Sequence, residues 1–192
     1  KLTSIANSTQ RYSLRSQINT DVSKRLSFNF VFGGSYNVND MWSVGSNYYD
    51  ELPVISPYNP DGSYALYDYQ GNRIFPSLAE AYQNDNDQST LQAFSQIQAT
   101  YRIMPGLDFT TRSGVDFSSI NELRYSSMQN LTGKSDNGYL NKNQARMYNW
   151  TSNASLNYTK QLYNGTLSAL LGFEANKSNS SFIRASAFNF PN

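Results

Sequence analysis

The side chains best able to do chemistry are concentrated between residues 38 and 91. This stretch holds Trp42, Tyr48, Tyr49, Tyr58, Tyr64, Tyr67, Tyr69 and Tyr82, interspersed with Asp50, Glu51, Asp61, Asp68, Arg73, Glu80 and Asp85. Flat rings with one polar end stack on sugar rings or peptide side chains while their hydroxyl or indole N–H forms hydrogen bonds. Trp42, Tyr48, Tyr49, Tyr58, Asp61, Tyr64, Tyr67 and Tyr69 are therefore the expected substrate-binding set. Within it, Pro57-Tyr58-Asn59-Pro60-Asp61-Gly62 also reads as turn chemistry, and that reading is favoured for this motif: Pro presets φ, Gly permits positive φ and Asp caps its own turn. Pro76-Ser77-Leu78-Ala79-Glu80-Ala81-Tyr82-Gln83 reads as a short helix opened by proline.

Catalysis is a poor fit. A carboxylate pair such as Asp61 and Asp68 is the minimum for acid–base hydrolysis, but the chain contains no His and no Cys. The commonest general base and the thiolate nucleophiles and metal ligands are thereby removed. Asp85-Asn86-Asp87 resembles the start of a calcium loop but lacks the following Gly and the distal Glu. No enzyme activity, metal or cofactor is expected. A net charge of +1 gives no electrostatic reason to expect nucleic acid as a partner.

A second group of polar residues is defined by parity. Strict alternation marks a strand with two different faces, and it recurs in six segments: 10–19, 25–37, 92–103, 107–117, 147–158 and 166–175. In 25–37, for example, Leu26, Phe28, Phe30, Phe32 and Tyr36 interleave with Arg25, Ser27, Asn29 and Ser35. Arg15, Arg102, Asp108, Arg112, Asp116 and Glu174 all fall on the polar parity, as do Arg11 and Arg25. They are expected to face a water-filled lumen, since a basic side chain against lipid at mid-membrane costs about 2–4 kcal/mol.

The connections alternate in length. Thr20–Lys24, Met104–Gly106 and the stretch around Gln161-Leu162-Tyr163-Asn164-Gly165 are short, the last with an Asn-Gly turn signal, whereas 38–91 and 118–146 are long and another long connection starts near 176. Short turns on one rim and long loops on the other are the pattern of outer-membrane barrels, with the long loops extracellular. Aromatics are 15% of the residues and charged residues only 15%, against roughly 25% charged in an average soluble domain. Mean hydropathy is −0.60, so Asn, Ser, Gln and Thr rather than aliphatics replace the missing charge. No apolar run reaches the ~18 residues of a membrane helix, and a barrel needs none. Six strands are fewer than the eight that close the smallest single-chain bacterial barrel. The chain, which begins at Lys1 without a signal peptide, is thus expected to be an internal piece.

Three stretches carry a family resemblance: Arg11-Tyr12-Ser13-Leu14-Arg15 leading through Asp21-Val22-Ser23-Lys24-Arg25-Leu26, then Pro57-Tyr58-Asn59-Pro60-Asp61-Gly62-Ser63-Tyr64, then Ala99-Thr100-Tyr101-Arg102-Ile103-Met104-Pro105-Gly106-Leu107-Asp108-Phe109 followed by Ser113-Gly114-Val115-Asp116. In this order the chain resembles the SusC-like (RagA-like) TonB-dependent outer-membrane transporters. The resemblance implies a 22-stranded barrel closed by an N-terminal plug, of which this chain would supply about six strands in three hairpins without the plug. It further implies import of an oligosaccharide or peptide, a SusD-like surface lipoprotein and the TonB complex as partners, and outer-membrane lipid around the wall. Two rivals stand beside it: a passive porin-like channel, and a soluble β-rich adhesin or binding module.

Overall fold

In the computed structural model the described residues are 8–41, 56–65, 71 and 77–190. They form one antiparallel meander in which every strand pairs with its sequence neighbours, in the order β1 to β6. The strands are β1 (Ser8–Asp21), β2 (Leu26–Asp40), β3 (Asp85–Met104), β4 (Leu107–Ser126), β5 (Tyr139–Leu162) and β6 (Gly165–Phe188), with helices α1 (Ser77–Gln83) and α2 (Leu131–Lys134) in the two long connections. The fold is all-β, and the six expected segments fall on these strands, with only Arg25 of the segment 25–37 lying outside, one residue before β2.

The short rim is built by turn chemistry that can be read residue by residue. Between β1 and β2, the Ser23 hydroxyl oxygen accepts hydrogen bonds from the amides of Arg25 and Leu26 at 3.2 and 3.1 Å. Between β3 and β4, Pro105 supplies the fixed φ and Gly106 takes φ +82°, the pairing of a type II turn. Gly106 is constrained twice, because a Cβ there would lie 2.2 Å from the carbonyl oxygen of Thr159 on β5. Between β5 and β6, Leu162 pairs with Gly165, so the central residues are Tyr163 and Asn164, neither with positive φ. The expected Asn-Gly centre is displaced by one residue, leaving Gly165 in the closing position that a type I turn favours.

The strands run further than alternation suggested. β5 and β6 have 24 residues each, about 80 Å at ~3.3 Å per residue, where ~9–11 tilted residues cross a bilayer. The expected long connection at 118–146 is therefore only 127–138, since β4 continues to Ser126 and β5 starts at Tyr139. Likewise β2 and β3 shorten the 38–91 connection to 41–84, and the loop expected near 176 is strand as far as Phe188. Along 118–126 the residues are Ser-Ser-Ile-Asn-Glu-Leu-Arg-Tyr-Ser, polar on both parities. The backbone ladder persists there, but the two-faced side-chain pattern that would reveal it does not.

The sheet encloses almost no core. The buried apolar residues are Val31, Ala65, Ala79 and Ala81, while Leu14, Leu171 and Phe173 stand 70–73% exposed on one face of the sheet. Of the buried polar residues, Ser35 and Ser119 lie within β2 and β4, while Glu80, Ser127 and Asn130, the last fully buried, lie at the far rim. The Asn84 side-chain oxygen there accepts from the Ser127 amide at 2.9 Å and from Asn130 Nδ2 at 2.6 Å. Asn130 Oδ1 in turn accepts from the Gly133 amide, capping α2. These bonds tie α1, the 127–138 connection and the tops of β3 and β4 into one cap.

Candidate functional site

The register puts two unlike surfaces back to back, because directly paired residues share a face. On the apolar face, Phe28, Phe30 and Phe32 meet Ala99, Ile97 and Ser95, and beyond them Thr111, Ser113 and Val115. The band's upper margin holds Tyr36 opposite Leu91, Phe117 opposite Tyr148 and Val115 opposite Trp150; its lower margin holds Tyr101 opposite Phe109 and Leu107 opposite Tyr158. Three of its hydroxyls bond within the sheet: Ser113 and Ser152 bond each other at 2.8 Å, and Thr111 donates to the Asn153 carbonyl at 3.1 Å. The band also crosses the strands obliquely. It reaches Tyr12 and Tyr36, a directly paired couple, on β1 and β2, but on β6 it ends near Ala175, well below the Asn179 that pairs with Tyr148. Tilted strands in a level apolar slab would produce this slant.

The opposite face carries all six residues expected to share it. Gln98, Arg112, Asn153 and Glu174 form one cross-strand row. Arg112 donates through Nε and Nη2 to Gln98 Oε1, at 3.1 and 2.7 Å. In the next row up but one, Arg15 pairs with Gly33, Gly33 with Phe94 and Phe94 with Asp116. The Phe94 ring lies across Gly33, where a Cβ would be 3.0 Å away, and the Arg15 guanidinium stands 5.9 Å from the ring centroid. Arg102 and Asp108 form an ion pair at 3.5 Å beside the Pro105-Gly106 turn. Both are well exposed, so the pair contributes at most about 1 kcal/mol.

A third row, above the apolar band, was not anticipated. Asn39, Gln88, Glu122, Asn143 and Arg184 are consecutive cross-strand partners from β2 to β6. Asn39 Nδ2 donates to Gln88 Oε1 at 3.2 Å, and Gln88 Nε2 to Glu122 Oε1 at 2.9 Å. Asn143 Nδ2 donates to Glu122 Oε2 at 3.3 Å, and Arg184 Nε to Asn143 Oδ1 at 3.1 Å. Arg184 also stands over the Phe182 ring, 5.4 Å from its centroid. This belt spans five strands and presents amide, carboxylate and guanidinium groups in one line. Its members are ordinary polar residues scattered over 39–184, and only the register assembles them.

Of the expected binding residues, Trp42, Tyr48, Tyr49, Tyr67 and Tyr69 lie outside the described residues. Tyr58, Asp61 and Tyr64 sit on one small hairpin. Tyr58 and Tyr64 bridge and their rings stack at 5.4 Å and 28°. Asp61 Oδ1 accepts from the Ser63 amide at 2.9 Å and the Ser63 hydroxyl at 2.6 Å. The Ser63 side-chain and backbone bonds hold the exposed Asp61 carboxyl below its ordinary pKa. Asp61 thus serves the turn, with Gly62 beside it at φ +85°. The Tyr64 phenol is held above its ordinary pKa, by burial first and then by the neighbouring Tyr58 and Tyr82 phenols, which links the hairpin to α1. Asp85 and Asp87, the apparent start of a calcium loop, are strand residues with Asn86 on the opposite face between them, so strand geometry parts the three.

No protein-family model and no curated protein matches the chain. Solved structures do resemble it. A structure of the RagAB peptide transporter aligns with a TM-score of 0.73 over 95% of this chain at 18% identity. The RagAB peptide importer aligns in its closed-closed state (TM-score 0.71, 18% identity) and in its open-open state (TM-score 0.73, 17% identity). In each case this chain spans 22% of the matched chain, so what is shared is the fold of this antiparallel sheet.

Proposed function

We propose that this chain is part of the wall of an outer-membrane β-barrel transporter, with the apolar band against lipid and the polar face lining the substrate path. The observation that carries this reading is the uncovered, slanted apolar band backed by a charged and amide-rich face. At about 25 cal/mol per Å² of apolar area removed from water, leaving that band in water would forfeit most of the stabilisation available to a sheet with so little core. The unpaired edges of β1 and β6 point the same way: an open 24-residue edge invites aggregation, and neighbouring strands of a closed barrel remove it.

Within this reading the strand tops, α1, α2 and the 41–84 connection stand on the extracellular side, and the short turns on the periplasmic side. The three polar rows offer successive hydrogen-bonding levels along the path. A SusD-like lipoprotein would present substrate from outside, and the TonB complex would act through a plug. Trp42, Tyr48, Tyr49, Tyr58, Tyr64, Tyr67 and Tyr69 would add stacking surface at the mouth. An oligopeptide is the first substrate to test. The matched structures are described as peptide carriers, and a belt of amides with Glu122 and Arg184 can meet both backbone polarity and terminal charges.

The test uses the full-length protein that carries this chain. It should partition into detergent-extracted membranes and take up an oligopeptide into energised cells. A tag beside Asp61 should be reachable from outside intact cells, and a tag at Asp21-Val22-Ser23 should not. Recovery in the soluble fraction overturns the membrane reading, and the reverse labelling pattern overturns the orientation. Uptake of oligosaccharide alone would replace the substrate class.

A further inference from the structure

Charge on the outward, apolar face is not evenly distributed. On β4, β5 and β6 every acidic residue, Asp108, Asp116, Glu122 and Glu174, lies on the polar face with Arg112 and Asn153. The outward positions of β5 and β6 instead carry Lys142, Arg146, Lys160 and Lys177. Lys160 lies just below the band, one outward position past Tyr158. The other three lie above it. Arg146 is the first outward residue beyond Tyr148, Lys177 is the first beyond Ala175 and the cross-strand partner of Trp150, and Lys142 follows two outward positions above Arg146. All three are exposed, and among the described residues none has a carboxylate within 4 Å, the one such ion pair being Arg102–Asp108. Of the outward carboxylates, Asp87 and Asp40 share the row of Lys142 but stand two and three strands away on β3 and β2, and Asp85 lies one outward position higher.

Cations occupy both faces of β4, β5 and β6, Arg112, Arg124 and Arg184 being on the polar one, but the acidic residues of these strands are confined to the polar face and the outward cations stop at the edges of the band. We propose that Arg146 and Lys177, extended by Lys142, form a binding surface for the phosphate groups of anionic lipid in the leaflet that meets the band's upper margin. The inference rests on the reading above that this band faces lipid. Tyr148 and Trp150 lie at the depth where rings with one wet end settle. Long basic side chains next to them extend to the headgroup level while their stems stay on apolar surface. Each Lys or Arg held near an anionic membrane surface contributes about 1 kcal/mol of attraction. Guanidinium adds bidentate geometry for phosphate at Arg146.

The test is native mass spectrometry of the full-length protein purified in non-ionic detergent and titrated with bis-phosphorylated lipid A. Parallel titrations use dephosphorylated lipid A and inorganic phosphate. Wild type should retain the phosphorylated lipid, bind the dephosphorylated lipid far less, and hold free phosphate negligibly, because the band must anchor the acyl chains. The triple variant K142Q/R146Q/K177Q should lose on the order of a hundredfold in affinity for the lipid, with R146Q and K177Q each losing about fivefold. N149R, on the polar face, should retain lipid as wild type does. Heat-modifiable gel mobility reports barrel assembly in every variant, and if the triple variant fails to assemble the two single variants decide the matter. Equal retention in assembled wild type and variants, or equal binding of both lipids, overturns the lipid site while leaving the membrane reading intact. Failure of wild type to insert at all overturns both. Binding of free phosphate as tight as that of the lipid would make the cluster a general anion site and overturn the assignment to lipid.

Discussion

The lower and upper halves of this sheet use the same backbone ladder for different ends. Below Tyr36, Phe117 and Tyr148 the side chains largely alternate, with Val31, Phe94 and Leu170 among the apolar exceptions on the polar face, and few cross-strand polar bonds connect the apolar face. Above them polar residues occupy both faces, Gln144 bonds Asn121 on the outward side at 2.7 Å, and the Asn39–Arg184 belt runs along the inner side. Where two solvents meet the wall, the sequence must segregate its residues by parity. Where water meets both sides, parity carries no constraint and neighbouring side chains are free to bond one another. In the proposed barrel the lower half is a membrane seal and the upper half a polar vestibule.

The largest effect should come from violating parity in the lower half. Phe28→Arg and Phe30→Arg each place a cation in the middle of the band and should cost about 2–4 kcal/mol. The intervening Asn29→Arg, on the polar face, should be far milder. Urea unfolding of the full-length protein in liposomes measures this, and equal losses at all three positions would erase the distinction between the faces. Gly106→Ala belongs to the same half. It combines a positive φ with a close approach to Thr159 and should cost about 1–3 kcal/mol.

Changes in the upper half should be smaller and local. Glu122→Ala leaves Gln88 and Asn143 without their shared acceptor and should cost about 1 kcal/mol, read as faster amide exchange at the tops of β3 to β5 with unchanged membrane insertion. Faster exchange through the lower half as well would mean that the two halves are not separable. At the mouth, replacing Tyr58 and Tyr64 together by Ala should weaken oligopeptide capture by about 1 kcal/mol per lost stacking contact, while Phe replacements keep part of the binding. Isothermal titration with the purified protein checks this, and unchanged affinity would limit these rings to packing the hairpin.

The smallest effect concerns Asp61. Its carboxyl is held below its ordinary value of 3.8 by Ser63, so the folded hairpin binds a proton less readily than the unfolded one. The stabilisation is present above pH 3.8 and disappears as pH falls through that value and the lower folded one. The protection of the Ser63 amide relative to its intrinsic exchange rate at each pH should fall over that window in wild type and be flat in Asp61→Asn. A flat wild-type profile would remove Asp61 from the turn's energetics.

The residues by themselves determined the six alternating segments, the existence of short connections near Thr20–Lys24 and at Met104-Pro105-Gly106, and the shared face of Arg15, Arg102, Asp108, Arg112, Asp116 and Glu174. Each of these is local, set by period-2 side-chain direction or by the φ preference of Pro and Gly, and no distant contact is needed to read it. The helix at 77–83 was legible for the same reason. Tertiary structure alone decided how far the strands run, because Ser118–Ser126 and Tyr139–Arg146 hold their place through ladder bonds to neighbours rather than through a pattern of their own. It also decided the row of Asn39, Gln88, Glu122, Asn143 and Arg184, and the Asn84–Asn130 cap. Bonds between residues tens of positions apart depend on register, and register is a property of paired strands rather than of any one segment.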